Sequence, residues 1–214
     1  MISTGTWISK FRYIYPPRPE NKISVASLST FESMSCFLAQ PKLNGSLMEI
    51  YMDEENIYLW NRHKEPIHCK MDVNELRKLY RGSGLMVLCG EYMNKSKKDE
   101  SGETWNQKYV IFDMIVYNGK HLTGTTFEER FTMLKSLYPD NPVKLYMHQI
   151  TENCFRVESF YKDFEKIYEE ITKFDMYEGE VLKSKDAKLE DGTTAGNNVK
   201  SQIKCRKPTK NYNF

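Results

Sequence analysis

The stretch "KYVIFDMIVYNGKHL", Lys108 to Leu122, carries the strongest strand signal in the chain. Its β-branched and aromatic residues run into Asn118-Gly119, a pair that favours a type I′ turn and a partner strand. Upstream, "GLMVLCGEYM" (Gly84 to Met93) reads as a buried strand. "SLMEIYM" and "NIYLWN" alternate like two strands joined by the acidic turn Asp53-Glu54-Glu55-Asn56. "DVNELRKLY" opens with Asp72 as an N-cap and Glu75 at the capping-box spacing. "KSKKDESGETWNQ", Lys95 to Gln107, is polar and charged and predicts a mobile surface loop.

Downstream, Thr125 or Thr126 caps a helix over "FEERFTMLKSL", with Phe127, Phe131 and Leu134 on one face. "VKLYMHQI" reads as one strand. Phe160, Phe164, Ile167, Ile171 and Phe174 step with helical periodicity. "EGEVLK" and "SQIKCRKP" are two final strands around a Gly-rich polar loop. At the other end, the prolines of "YIYPPRPENKIS" predict an extended arm, and "SLSTFESMSCFLA" contains a short helix. In the turn-rich "AQPKLNGSLMEIYM", Asn44-Gly45 reads as a turn with Lys42 just before it. Together these elements predict an α+β fold of antiparallel sheets with flanking helices.

At 214 residues, length favours one domain over 1–214, with residues 1–30 forming the arm and the start of a helix. Aromatic residues make up 13% of the chain, 14 of them tyrosines, which excludes a disordered chain despite a mean hydropathy of -0.64. A net charge of +2 from 31 basic and 29 acidic residues leaves any nucleic-acid affinity to local patches. Five scattered cysteines, with no CxxC pair and no secretory segment, predict a reducing, cytoplasmic setting. No apolar run suits a membrane helix, so the expected protein is soluble, without a membrane partner, and monomeric. His63, His68 and Cys69 fit no standard zinc spacing.

Four short elements carry the chemistry: "KLNG" at 42–45, "CGE" at 89–91, "EGEVLK" at 178–183 and "KCRK" at 204–207. Each alone is what a solvated strand end, a turn or a basic tail also looks like. As an ordered set they suit phosphoryl chemistry. A lysine attacks phosphorus only as the free amine, so its ordinary pKa of about 10.4 must fall through neighbouring cations or desolvation. Lys183, Lys204 and Arg206 supply such cations and would also neutralise nucleotide phosphates. Glu91 and Glu178 are hard oxygen ligands suited to Mg2+ or Mn2+. Gly45 lets a nucleotide approach the backbone closely.

From about Tyr15 to Phe214 the sequence resembles the covalent nucleotidyltransferases: ATP-dependent DNA ligases, RNA ligases and mRNA capping guanylyltransferases. Lys42-Leu43-Asn44-Gly45 looks like their Lys-x-(Asp/Asn/His)-Gly nucleophile motif. Arg62 in "LWNRHKEPI" looks like the arginine that contacts the nucleotide sugar. "LCGE" matches the Gly-Glu motif, with Cys89 where many members have Asp. Phe112 looks like the aromatic that stacks on the base, and Arg130 stands where relatives carry an arginine. Glu178 to Lys183 matches Glu-Gly-x-Val-x-Lys, and Lys204-Cys205-Arg206 resembles the last Lys-x-Lys motif with Arg as its second cation.

The resemblance implies a nucleotide cleft between the sheets and a lysyl-nucleotide formed on Lys42 from ATP, or from GTP in a capping enzyme. It implies catalytic roles for Lys42, Lys204 and Arg206, nucleotide contacts from Gln40, Leu43, Arg62, Glu91, Phe112, Arg130 and Lys183, and a metal on Glu91 and Glu178. The implied partners are RNA or DNA ends. Leu47, where DNA ligases and capping enzymes usually carry arginine, and "KLNGSL" lean toward RNA ligases. "YVIFDMIVYNGKHL" with "EERF" looks at least as much like a phage-type DNA ligase; the resemblance as a whole favours an ATP-dependent polynucleotide ligase, RNA slightly ahead of DNA and capping third. The resemblance also leads to the expectation that the chain carries no C-terminal oligonucleotide-binding domain. A binding module that has lost catalysis, using Lys200, Lys204, Arg206, Lys207 and Lys210 to hold phosphates, is the alternative of another class.

Overall fold

A computed structural model describes residues 17–144, 146–190 and 198–208. The arm before Pro17, the loop at 191–197 and the tail that includes Lys210 lie outside the described residues. The strands are β1 (Arg18–Ile23), β2 (Phe37–Leu43), β3 (Ser46–Met52), β4 (Ile57–Trp60), β5 (Met86–Met93), β6 (Lys97–Lys98), β7 (Thr104–Trp105), β8 (Lys108–Tyr117), β9 (Lys120–His121), β10 (Pro142–Lys144), β11 (Met147–Gln149), β12 (Cys154–Val157), β13 (Tyr177–Ser184) and β14 (Asn198–Arg206). The helices are α1 (Leu28–Ser33), α2 (Val73–Arg77), α3 (Phe127–Leu137) and α4 (Phe164–Ile171).

The large sheet runs β10-β11-β12-β8-β5-β3-β4, with β9 against β8, and the small sheet runs β1-β14-β13-β2. The expected α+β class holds, but the sheets are mixed: β1 pairs with β14, and β12 with β8, in parallel. The opening stretch forms β8 at the middle of the large sheet, and Asn118 and Gly119 have φ of 50° and 71°, both positive as a type I′ turn requires. Thr126 caps α3 in a full capping box with Glu129. Asp72 caps α2, but Glu75 is drawn away from the box to accept hydrogen bonds from Thr151 Oγ1 at 2.6 Å and the Asn153 backbone.

Three local expectations fail, and a fourth is sharpened. Asn44-Gly45 bends the chain as expected but joins no hairpin: β2 belongs to the small sheet and β3 to the large one, so the pair carries the chain from one sheet to the other. Gly45 is needed for closeness, since a Cβ there would lie 2.6 Å from the Tyr92 carbonyl. "VKLYMHQI" is broken into β10 and β11, with Tyr146 at a left-handed φ of 58°. The Lys95–Gln107 segment is tied down as the β6–β7 hairpin, because Trp105 is buried against Phe155. Of the five apolar positions stepping from Phe160 to Phe174, α4 takes only Phe164, Ile167 and Ile171.

The small sheet has two unlike faces. Ala39, Leu43, Leu182, Ile203 and Cys205 enter an apolar core with Phe164, Ile167 and Ile171 of α4. Side chains directly opposite one another on paired strands share a face. The registers Lys42↔Gly179↔Arg206 and Gln40↔Val181↔Lys204↔Lys22 therefore set the polar residues on the other face, toward the large sheet. Leu38, on that same face, joins the core of the large sheet.

Glu180 is the exception on the apolar face. It is fully buried, neither carboxylate oxygen has a hydrogen-bond partner, and burial, with Glu32 adding to it, raises its pKa to about 9. A carboxyl whose folded pKa lies above its unfolded value stabilises less as pH rises from the unfolded value, about 4.3, toward the folded one. Wild-type stability is thus expected to fall between pH 5 and pH 9 by roughly 2 kcal/mol more than that of Glu180→Gln. Parallel thermal unfolding curves across that range would remove this role.

Candidate active site

Lys42 lies at the end of β2, just before the chain crosses between sheets. Its Nζ is 2.7 Å from Glu178 Oε2, and the same oxygen is 2.7 Å from Arg206 Nη2. Glu178 reaches this face because β13 bulges: Tyr177 pairs with Leu43 and Gly179 with the next residue, Lys42. One extra residue on β13 reverses the alternation, so Glu178 joins Lys42 and Arg206 on the polar face although Glu180 and Leu182 point into the core. Gly179 has a φ of 138°, and a Cβ on it would lie 2.0 Å from the Cys205 carbonyl. The Glu-Gly step in the sequence is thus the bulge that aims the carboxylate.

The second carboxylate has a similar origin. The β5–β8 register shifts between Cys89 and Gly90, and a Cβ on Gly90 would lie 2.5 Å from the Tyr109 ring. Glu91 Oε1 accepts the Gly45 amide at 3.0 Å, which holds the turn after Lys42. Burial raises the Glu91 pKa to about 7, with Lys42 opposing that rise and Glu178 adding to it. Glu178 Oε2 is buried between two cations yet accepts no well-directed hydrogen bond. Glu178 and Glu91 offer an oxygen-only donor set, which fits a hard divalent cation.

Where the two sheets meet, the Phe112 carbonyl accepts Gln40 Nε2 at 3.4 Å and Lys183 Nζ at 3.5 Å. Lys183 is nearly inaccessible, with Nζ 5.0 Å from the Phe112 ring centre and 4.3 Å from that of Phe127. Burial lowers its pKa to about 8, with Asp113 opposing the change. Gln40 Nε2 also donates to Ser159 Oγ at 3.0 Å, which leaves Gln40 Oε1 as a buried acceptor without a partner. Lys204 Nζ donates to the Pro19 carbonyl at 3.2 Å. Burial lowers the Lys204 pKa, followed by the charges of Arg206, Lys22, Lys42 and Arg18.

Lys42, Glu91, Glu178 and Arg206 are therefore in one cluster, with Lys204 beside them and Gln40, Phe112 and Lys183 adjoining. Three expected residues stand apart. Leu43 points into the apolar core and meets the site only through its backbone. Arg62 is exposed after β4, where its Nε donates to His63 Nε2 at 2.9 Å. Arg130 is buried; Nε and Nη2 donate to the Asp113 carboxylate at 2.8 and 3.0 Å and Nη1 to the Thr125 carbonyl. Burial works to raise the Asp113 pKa, but Arg130 outweighs it and holds the value low. Arg130 and Asp113 thus stiffen the wall behind Phe112 and Lys183.

Sequence reading missed Ser159, Phe127 and Asp113. Asp113 alone had a signal, as the one charge inside an apolar strand. An open groove of about 640 Å³ lined by Glu32, Tyr161, Lys166 and Glu169 includes none of the motif residues.

The sequence profile of the ATP dependent DNA ligase domain family matches residues 22–201. The chain belongs to that family. Lys42, Glu91 and Lys183 of the ligase domain lie inside the matched span, while Lys204 and Arg206 lie beyond it. Among solved structures, a mycobacterial DNA ligase D complexed with ATP and MES is 18% identical with a TM-score of 0.60, covering 92% of this chain and 61% of that one. The ligase domain of M. tuberculosis LigD is 15% identical, TM-score 0.62, covering 92% and 60%. A Lig E DNA ligase is 17% identical, TM-score 0.53, covering 91% and 70%. At these identities the likeness shows the fold, and the ligase domain spans about three fifths of the first two structures. No curated protein matches it in sequence. No helix among the described residues is long and apolar enough to cross a membrane.

Proposed function

We propose that this chain performs the nucleotidyl-transfer chemistry of an ATP-dependent polynucleotide ligase through a lysyl-AMP intermediate. The observation that carries the proposal is the Lys42–Glu178–Arg206 chain, with both contacts at 2.7 Å, beside Glu91. The Lys42 Nζ lone pair forms a nitrogen–phosphorus bond to the α-phosphate. The bond from that phosphorus to the bridging oxygen breaks, pyrophosphate leaves with the electron pair, and the amine gives up its proton. AMP then passes to a 5′-phosphate end, and a 3′-hydroxyl displaces it to join the strands.

Arg206 and Lys204 face the phosphates and offset their charge. Glu91 and Glu178 would hold a divalent cation, which when bound supplies further positive charge against the phosphates. Phe112 offers a ring for the base. The unpaired Gln40 Oε1 matches an exocyclic amino group, which adenine offers and guanine replaces by a carbonyl at that edge. This supports ATP over the GTP of a capping reaction. Membership of the DNA ligase family supports DNA ends, while Ser46-Leu47 after the nucleophile motif supports RNA as the second reading.

Incubation with magnesium and α-labelled ATP or GTP, followed by nicked DNA and nicked RNA, tests both choices. Transfer of label only from GTP would replace ligation by capping. Stacking on Phe112 is expected to contribute roughly 1 to 3 kcal/mol, so Phe112→Ala should weaken ATP binding by about tenfold or more. An unchanged dissociation constant in a titration would remove that role.

A further inference from the structure

We propose that Lys22 and Arg18 of β1 form a binding site for the β- and γ-phosphates of the nucleotide, outward of the lysine site and continuous with it. The inference rests on the nucleotidyl-transfer reading. It concerns residues that neither the motifs nor the resemblance brought forward, and Arg18 precedes the span matched by the family.

Lys22 is the direct cross-strand neighbour of Lys204, so both side chains stand on the cleft face. Ile23, next along β1, packs with the apolar core on the opposite face, as this alternation demands. Lys204 Nζ bonds the Pro19 carbonyl and so ties β1 to β14 between Arg18 and Lys22. Lys22 is exposed and Arg18 half-buried, and both charges act on Lys204 together with Arg206 and Lys42. With adjacent strands about 4.8 Å apart, the cations from β2 through β14 to β1 span about 14 Å, three strand spacings.

Direction along this row decides which phosphates it meets. Gln40 on β2 and Lys183 on β13 both meet the Phe112 carbonyl, and on the nucleotidyl-transfer reading the base end lies on that side. A nucleotide with its α-phosphate at Lys42 therefore sends its remaining phosphates toward β14 and then β1. Those are the groups that leave as pyrophosphate, and cations beside them stabilise the charge that develops on the leaving oxygen. Phosphates of a polynucleotide are the competing occupant, and the steps of ligation separate the two. Sealing a pre-adenylylated nick involves no pyrophosphate, whereas forming the lysyl-nucleotide does.

The experiment compares wild type with Lys22→Ala, Lys22→Gln and Lys22→Arg, each checked by thermal unfolding. With magnesium, inorganic pyrophosphate should bind Lys22→Ala and Lys22→Gln roughly tenfold more weakly in a calorimetric titration, and Lys22→Arg should recover most of that loss. The ATP concentration for half-maximal lysyl-nucleotide formation should rise by a similar factor relative to the rate of sealing a pre-adenylylated nick. Unchanged pyrophosphate affinity in both neutral variants overturns the proposal. An equal loss in sealing the pre-adenylylated nick also overturns it and assigns Lys22 to the polynucleotide. If wild type forms no lysyl-nucleotide at all, the proposed function fails, while weaker pyrophosphate binding by the variants still upholds the phosphate site.

Discussion

Lys42→Ala is expected to abolish covalent labelling by α-labelled ATP, a loss on the order of 10⁴-fold or more, while ATP binding falls far less. The asymmetry follows from the site. On the proposed function the base end would rest on Phe112, Gln40 and Lys183 and the phosphates would face Lys204 and Arg206, none of which the substitution removes. Only the nitrogen that forms the bond is lost. Lys42→Arg should be equally inactive, because a guanidinium keeps the ion pair with Glu178 but cannot release its proton to become a nucleophile. Label that survives alkaline gel electrophoresis on the Lys42→Ala protein would mean that another residue attacks. Sealing of a pre-adenylylated nick should persist in Lys42→Ala, because that step needs no lysyl-nucleotide.

Gly179→Ala should damage stability and chemistry together. The added Cβ would lie 2.0 Å from the Cys205 carbonyl and 3.0 Å from Arg206 Cα, at a φ of 138° that L side chains rarely adopt. Backbone strain of this kind costs about 1 to 3 kcal/mol, and contact with a rigid neighbouring strand adds to it, so a loss of roughly 3 kcal/mol or more is expected in denaturant unfolding. If the bulge opens, Glu178 loses its reversed alternation and withdraws from Lys42 and Arg206. An ångström of displacement is enough to lower the rate of lysyl-nucleotide formation about 10²-fold. The measurement that checks this is single-turnover labelling well below the unfolding temperature. Normal labelling by the folded variant would show that the bulge does not aim Glu178.

The motif residues were legible because phosphoryl chemistry restricts them to few types in a set order, and because glycine at a bulge leaves a mark in the sequence. What each glycine does was not legible. Gly45 read as part of a turn and as room for a nucleotide, and Gly179 only as one position of a motif, whereas both answer to a backbone from another strand passing too close for a Cβ. Partners distant along the chain were equally hidden. The capping box at Asp72 and Glu75 satisfied every local rule, and Thr151 and Asn153 still claimed Glu75. Polar composition predicted mobility for Lys95 to Gln107 because one buried side chain, Trp105, counts little in an average but holds the segment down. Lys22 had no signal, since a lysine beside a proline-rich arm gains meaning only from β14, far along the chain.

That last pairing bears on the order in which the molecule is completed. The strands of the large sheet all come from one continuous run, residues 46–157, while the small sheet is assembled from 18–43 and 177–206. Pairings this remote in sequence close late, because the loop entropy is lost before any contact rewards it. During synthesis the central β8 sheet can gather from its own segment, but Lys42 waits for β13 to bring Glu178 and for β14 to bring Lys204 and Arg206. A nascent or clipped chain that lacks β13 and β14 would have the large sheet without the strands that carry Glu178, Lys204 and Arg206, so under the proposed function the capacity to consume nucleotide would arrive only with β14.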